Sequence, residues 1–163
     1  MKILLTGAGG QLGQALLDAK PEAVELISTT RQELNLADAE ACRSAVQQHQ
    51  PDWVLNAGAY TAVDKAESEP ELAHAVNGGA PEAFAQELER QGGRLLQVST
   101  DFVFNGTQGT PYQPEQTRDP LGVYGASKAA GEAAIQSVFG AGGRGLILRT
   151  SWVIGPVGKN FAL

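Results

Sequence analysis

Five short apolar runs, residues 3–6, 24–28, 53–56, 95–100 and 146–150, alternate along the chain with stretches of helical spacing at 11–19, 37–48, 70–91 and 124–139. Strand and helix in strict alternation call for a parallel sheet. The runs are nearly continuous in Val, Ile and Leu, as expected where helices cover both faces. Pro51, Gly92-Gly93 and Gly142-Gly143 mark the helix stops. The expected fold is α/β: a doubly wound parallel sheet in a three-layer αβα arrangement. With 163 residues and 42% hydrophobic side chains, one domain over 1–163 can bury its own core.

The first run leads straight into Gly7-Ala8-Gly9-Gly10-Gln11-Leu12-Gly13, which opens a helix near Gln11. The glycines stand at Gly7-x-x-Gly10-x-x-Gly13, a departure from the commoner G-x-G-x-x-G spacing. Gly7 permits a tight turn, Gly10 lets backbone approach phosphate oxygens, and Gly13 lets the helix pack close to the strand. A dinucleotide pyrophosphate suits such a helix N-terminus, although the same loop can be a plain strand-to-helix connection. After the second run the chain reads Ser28-Thr29-Thr30-Arg31, with no carboxylate at the strand end and Arg31 beside it. That favours NADPH over NADH, with NADH possible.

Ligands of open parallel sheets bind beyond the carboxyl ends of the strands. Here those ends carry Gly7, the segment 56–61, Ser99-Thr100-Asp101 and Thr150-Ser151-Trp152. A long irregular stretch, 101–123, follows the fourth run, and loops of that length usually carry function. Tyr124 and Lys128 come next, four residues apart and therefore on one face of a helix. An ammonium held beside the phenol favours the phenolate, which would let Tyr124 exchange a proton with a carbonyl near neutrality.

Other function classes are disfavoured. A net charge of −6 argues against nonspecific nucleic-acid binding, and no apolar run is long enough to cross a membrane. The short opening run goes directly into glycines and does not resemble a secretion signal, so a cytoplasmic location is expected. Cys42 sits in an Ala-rich helical pattern and is read as a packing residue; His49 and His74 are isolated, so no metal site is expected.

Four longer motifs add to this reading. Asn56-Ala57-Gly58-Ala59-Tyr60-Thr61-Ala62-Val63-Asp64-Lys65-Ala66-Glu67 follows the third run and Ser99-Thr100-Asp101-Phe102-Val103-Phe104-Asn105-Gly106 the fourth. Tyr124-Gly125-Ala126-Ser127-Lys128-Ala129-Ala130-Gly131-Glu132 and Leu148-Arg149-Thr150-Ser151-Trp152-Val153 complete the set. In this order they resemble the nucleotide-sugar reductases of the extended short-chain dehydrogenase/reductase family, over essentially the whole chain. The resemblance implies a Rossmann-like, NAD(P)-binding domain and a catalytic triad of Thr100, Tyr124 and Lys128. Tyr124 would protonate the sugar's C4 oxygen, Thr100 would hydrogen-bond it, and Lys128 would hold the cofactor ribose and depress the Tyr124 pKa. It also implies cofactor contacts from Gly7, Gly10, Gln11, Leu12, Gly13, Arg31, Asn35, Leu36, Ala59, Tyr60, Thr61, Tyr124 and Lys128. Substrate contacts would come from Val63, Thr100, Asp101 and Trp152.

Asn35 stands where the family often has Asp, and Phe102 where it often has Tyr, for which a packing role is expected. The implied reaction is reduction of the 4-keto group of dTDP-4-dehydro-6-deoxy-L-mannose to dTDP-L-rhamnose, a precursor of cell-surface polysaccharide, with a possible homodimer in the full-length protein. Alternatives are another nucleotide-sugar reductase or epimerase, and a non-catalytic NADP-binding regulatory subunit of the kind that serves methionine adenosyltransferase. The family continues into a smaller substrate-binding part after the point where this sequence stops, so that part is expected to be absent from residues 1–163.

Overall fold

The computed structural model describes residues 1–157 and 160. Its parallel sheet comprises β1 Lys2–Thr6, β2 Glu25–Thr29, β3 Trp53–Asn56, β4 Arg94–Thr100 and β5 Gly145–Thr150, in the order β2-β1-β3-β4-β5. The helices are α1 Gln11–Asp18, α2 Ala39–His49, α3 Val63–Ala66, α4 Pro70–His74, α5 Ala80–Gln91 and α6 Val123–Phe139. All four strand pairings are parallel, as the alternation predicts.

The crossovers β2 to β3, β3 to β4 and β4 to β5 run in one direction across the sheet. Right-handed connections therefore stack α2, α5 and α6 on one face and send α1, from the opposite crossover, to the other. The main core lies under the three stacked helices, where Leu4, Val54 and Leu95 of the sheet meet Val46, Phe84, Leu88 and Ile135. Each of these is at most 1% exposed. On the opposite side of β5, Leu146 and Leu148 are 46% and 53% exposed, because among the described residues no helix crosses back over that edge. Cys42 is fully buried in the main core, and burial pushes its thiol up to about 12, as befits packing rather than reactivity.

Local chemistry sets the helix boundaries. Asp38 caps α2 by accepting from the amides of Glu40 and Ala41, so the helix begins two residues later than its apolar spacing suggests. Gly92 ends α5 with φ 81°. The stretch 70–91 is continuous but not uniform: α4 passes through a π turn, Ala75–Gly79, into α5. Pro81 lacks the N–H that would bond the Asn77 carbonyl, which removes one rung of the ladder at this turn. The loosened turn packs against α6 at Gly131, where any side chain would overlap the Asn77 carbonyl.

Candidate active site

The strand order reverses direction at β1, with β2 on one side and β3 on the other, and a cleft opens beyond the carboxyl ends there. It has a volume of ≈ 1120 Å³. The glycine turn forms its floor. Gly7 has φ 69°, and a Cβ there would lie 2.6 Å from the Gly58 backbone; a Cβ on Gly13 would overlap the Gly7 carbonyl. Only glycine allows this approach of α1 to β1 and of both to the β3 loop. Gly10, the N-cap of α1, offers no side-chain cap, so the first-turn amides of α1 remain available to an anion.

Of the residues predicted from sequence, Gly7, Gly10, Gln11, Leu12, Arg31, Asn35, Leu36, Ala59, Tyr60 and Thr61 line the cleft. Val63, Thr100, Asp101, Tyr124, Lys128 and Trp152 do so as well. Gly13 lies behind the wall and serves packing. Leu72 and Val76 also line the cleft but carry no sequence signal beyond helical spacing. The acidic residue nearest the end of β2, Glu33, accepts from the Thr30 amide and hydroxyl at 2.8 Å each, which holds its carboxyl below the usual range. Arg31 is therefore the charged residue that the end of β2 presents to the cleft.

Tyr124 and Lys128 share one face of α6, as their spacing predicts, but their electrostatics differ from the expectation. Burial raises the Tyr124 phenol, a hydrogen bond from Thr100 lowers it, and the Asp101 carboxylate raises it again, leaving it above its ordinary value. Lys128 does not pull it down here, because its Nζ donates to the Val98 carbonyl of β4 at 2.7 Å. That carbonyl also accepts from Gln97 Nε2, and Gln97 is joined through Asn56 to Thr6, a buried polar chain across β4, β3 and β1. Burial pushes the Lys128 ammonium down to about 8, against a raising influence of Glu132.

This has a stability consequence. Between about 8 and 10.5 the folded chain holds fewer protons at Lys128 than the unfolded chain, so stability rises with pH across that window. Below it the cost of the buried charge is fully present. Denaturant unfolding of wild type and Lys128→Met is expected to show wild type gaining ~3 kcal/mol relative to the variant between pH 7 and pH 11. A pH-independent difference would contradict the burial of a charged Lys128.

Beside Tyr124, Asn77 in the π turn bonds both the Tyr60 amide and carbonyl and donates to the Ser127 hydroxyl, which in turn donates to the Tyr124 carbonyl. It thereby braces the Tyr60 loop against α6, a role that sequence spacing does not reveal. Phe102 meets Tyr124 edge-on at 5.6 Å, the packing expected of it, though it stays 51% exposed. Trp152 is 76% exposed at the rim, with φ 51°. Asp101 accepts from Thr100 and Ser151, tying β4 to the end of β5.

The family model described as the RmlD substrate binding domain matches residues 1–163. The chain belongs to that family. Among RmlD relatives, the dTDP-4-dehydrorhamnose reductase of Streptomyces griseus is 47% identical over 161 residues, covering 97% of this chain and 52% of its own. The crystal structure of a dTDP-4-dehydrorhamnose reductase from Clostridium acetobutylicum superposes with TM-score 0.91 at 35% identity, covering 99% of this chain and 56% of the other. That of Bacillus anthracis dTDP-4-dehydrorhamnose reductase in complex with NADP gives 0.91 at 33% identity, with 98% and 56% covered. This RmlD-family chain thus spans about half the length of the curated relatives it matches. Among the described residues, no helix is long and apolar enough to cross a membrane, and no cluster of three His, Cys, Asp or Glu could hold a metal.

Proposed function

We propose that residues 1–163 form the NADPH-binding and proton-donating part of a dTDP-4-dehydrorhamnose reductase. The observation that carries this reading is the convergence of Thr100, Tyr124 and Lys128 on one cleft floored by the Gly7 to Gly13 turn. The names of the relatives and the NADP of one of them point the same way. The cleft fits a dinucleotide: the uncapped α1 amides and the glycine floor suit a pyrophosphate, and Arg31 suits a 2'-phosphate. NADPH, when bound, supplies the hydride.

The chain's own residues do the rest. Tyr124, its phenol protonated throughout the neutral range, donates to the C4 oxygen as charge develops there, and Thr100 holds that oxygen by a second hydrogen bond. Lys128, its Nζ on the Val98 carbonyl, contributes positive charge toward the ribose. Val63, Asp101 and Trp152, at the mouth, contact the sugar nucleotide. The reading extends to a cytoplasmic enzyme that supplies polysaccharide synthesis, and to a homodimer of the complete protein. An intact triad favours catalysis over a purely regulatory NADP-binding subunit.

Calorimetric titration of this chain with NADPH and NADH tests the cofactor half. Turnover of dTDP-4-dehydrorhamnose by the chain extended to its relatives' full length tests the reaction. Binding without any turnover would overturn the reductase reading. Arg31→Ala is expected to shrink the preference for NADPH over NADH by roughly tenfold, the worth of one charge-assisted phosphate contact. An unchanged ratio would remove Arg31 from the phosphate site.

A further inference from the structure

The helix that carries Tyr124 and Lys128 begins without a cap of its own. Its N-cap is Gly122, with φ −131° and ψ 172°, and no acidic residue stands in its first turn. The cap comes from elsewhere: the Val123 amide donates to Glu67 Oε1 at 2.8 Å, across 56 residues of sequence. Residue 122 makes room for it, since a Cβ there would lie 2.9 Å from that same oxygen. A side chain at 122 would push the Glu67 carboxylate out of this place.

Glu67 directly follows α3, at the end of the motif that begins at Asn56. The same segment walls the cleft through Ala59, Tyr60, Thr61 and Val63. It is itself held by the Tyr60 hydroxyl and Lys65 ammonium on Glu69, at 2.7 Å each. On its other flank, the first turn of α6 lies against the turn after β4, where a Cβ on Gly125 would overlap the Phe102 carbonyl. The first turn of α6, which carries Tyr124 as its second residue, thus touches both the Thr100–Phe102 turn and the cofactor wall, one turn before the Asn77 and Ser127 brace.

We propose that Glu67 is a positioning residue for proton transfer, its carboxylate acting as the detached N-cap that fixes Tyr124 relative to the dinucleotide wall. The proposal rests on the reading of Tyr124 as proton donor. A carboxylate at this place satisfies a helix amide and complements the helix dipole, and it is exposed enough that its loss leaves the core intact. A small displacement of the donor costs rate rather than affinity.

The test compares Glu67→Ala and Glu67→Gln with wild type. In the chain extended to its relatives' full length, Glu67→Ala is expected to lower kcat about tenfold, with KM for the keto sugar and Kd for NADPH changed less than about twofold. Glu67→Gln, whose amide oxygen accepts the same N–H, is expected to restore kcat to within about threefold. In the 163-residue chain, amide exchange at Val123, the amide that Glu67 accepts, should quicken about tenfold in Glu67→Ala while β4 amides stay unchanged. Unchanged exchange would overturn the cap whatever the turnover shows. Quickened exchange with unaltered kcat would make Glu67 a structural cap only and overturn its positioning role. Wild type binding NADPH without reducing the sugar would fail the reductase reading instead, and the exchange would still decide whether Glu67 caps α6.

Discussion

In the chain extended to its relatives' full length, Tyr124→Phe is expected to lower ketone reduction by a factor of about 10² to 10⁴ while leaving NADPH affinity within about twofold. The phenyl ring keeps the edge-on contact with Phe102 and the helix face that Tyr124 presents, so the cleft wall survives the change. What goes is the only O–H that α6 presents to the cleft, since Ser127 turns its hydroxyl back to the Tyr124 carbonyl. Thr100 cannot replace it, because an aliphatic hydroxyl is a far weaker acid than a phenol. The raised phenol also gives the pH dependence a sign. The donor form persists through neutrality and is lost as pH climbs through a value above 10, so wild-type reduction should fall on the alkaline side. A variant that retains full turnover in stopped-flow assays of NADPH oxidation would remove Tyr124 from the reaction.

What the sequence discloses and what it conceals divide along the distance between partners. The sheet was legible because each strand is a local run, and the glycine turn because Gly7 and Gly13 answer steric demands that only glycine meets. Tyr124 and Lys128 were legible as a pair because helical spacing is also local. The direction of the Lys128 ammonium was not, since it is set by the Val98 carbonyl of another strand. That contact is why the expected depression of the phenol is absent. Helix α3, with four residues, is too short to announce itself by periodicity and is placed by its surroundings. The expectation of covering on both sheet faces came from apolar continuity alone, and Leu146 and Leu148 show that the continuity of β5 is not matched by a helix among the described residues.

Glu132→Ala is expected to cost about 3–5 kcal/mol of folding stability, the cost of breaking a buried ion pair. Glu132 is fully buried, and its carboxylate accepts from Ser99 at 2.6 Å, from Arg149 through two nitrogens at 2.9 and 2.7 Å, and from Arg118 at 3.2 Å. Truncation would leave two largely buried guanidinium groups without their shared carboxylate, with only the more distant charge of Glu115 acting on Arg149. It would also loosen the long loop, because Arg149 bonds the Pro114 carbonyl at 2.8 Å and lies 4.9 Å over the Phe104 ring. The pH dependence follows with its sign. Burial alone would raise the carboxyl, but the hydrogen bonds from Arg149, Ser99 and Arg118 outweigh it and hold it below 4.5. Its contribution is therefore complete above 4.5 and is lost as pH falls through the lower folded-state value, so wild type and Glu132→Ala should converge in acid. Urea unfolding at pH 7 and pH 3 measures both, and a loss under about 1 kcal/mol at pH 7 would mean that water reaches the cluster and screens it.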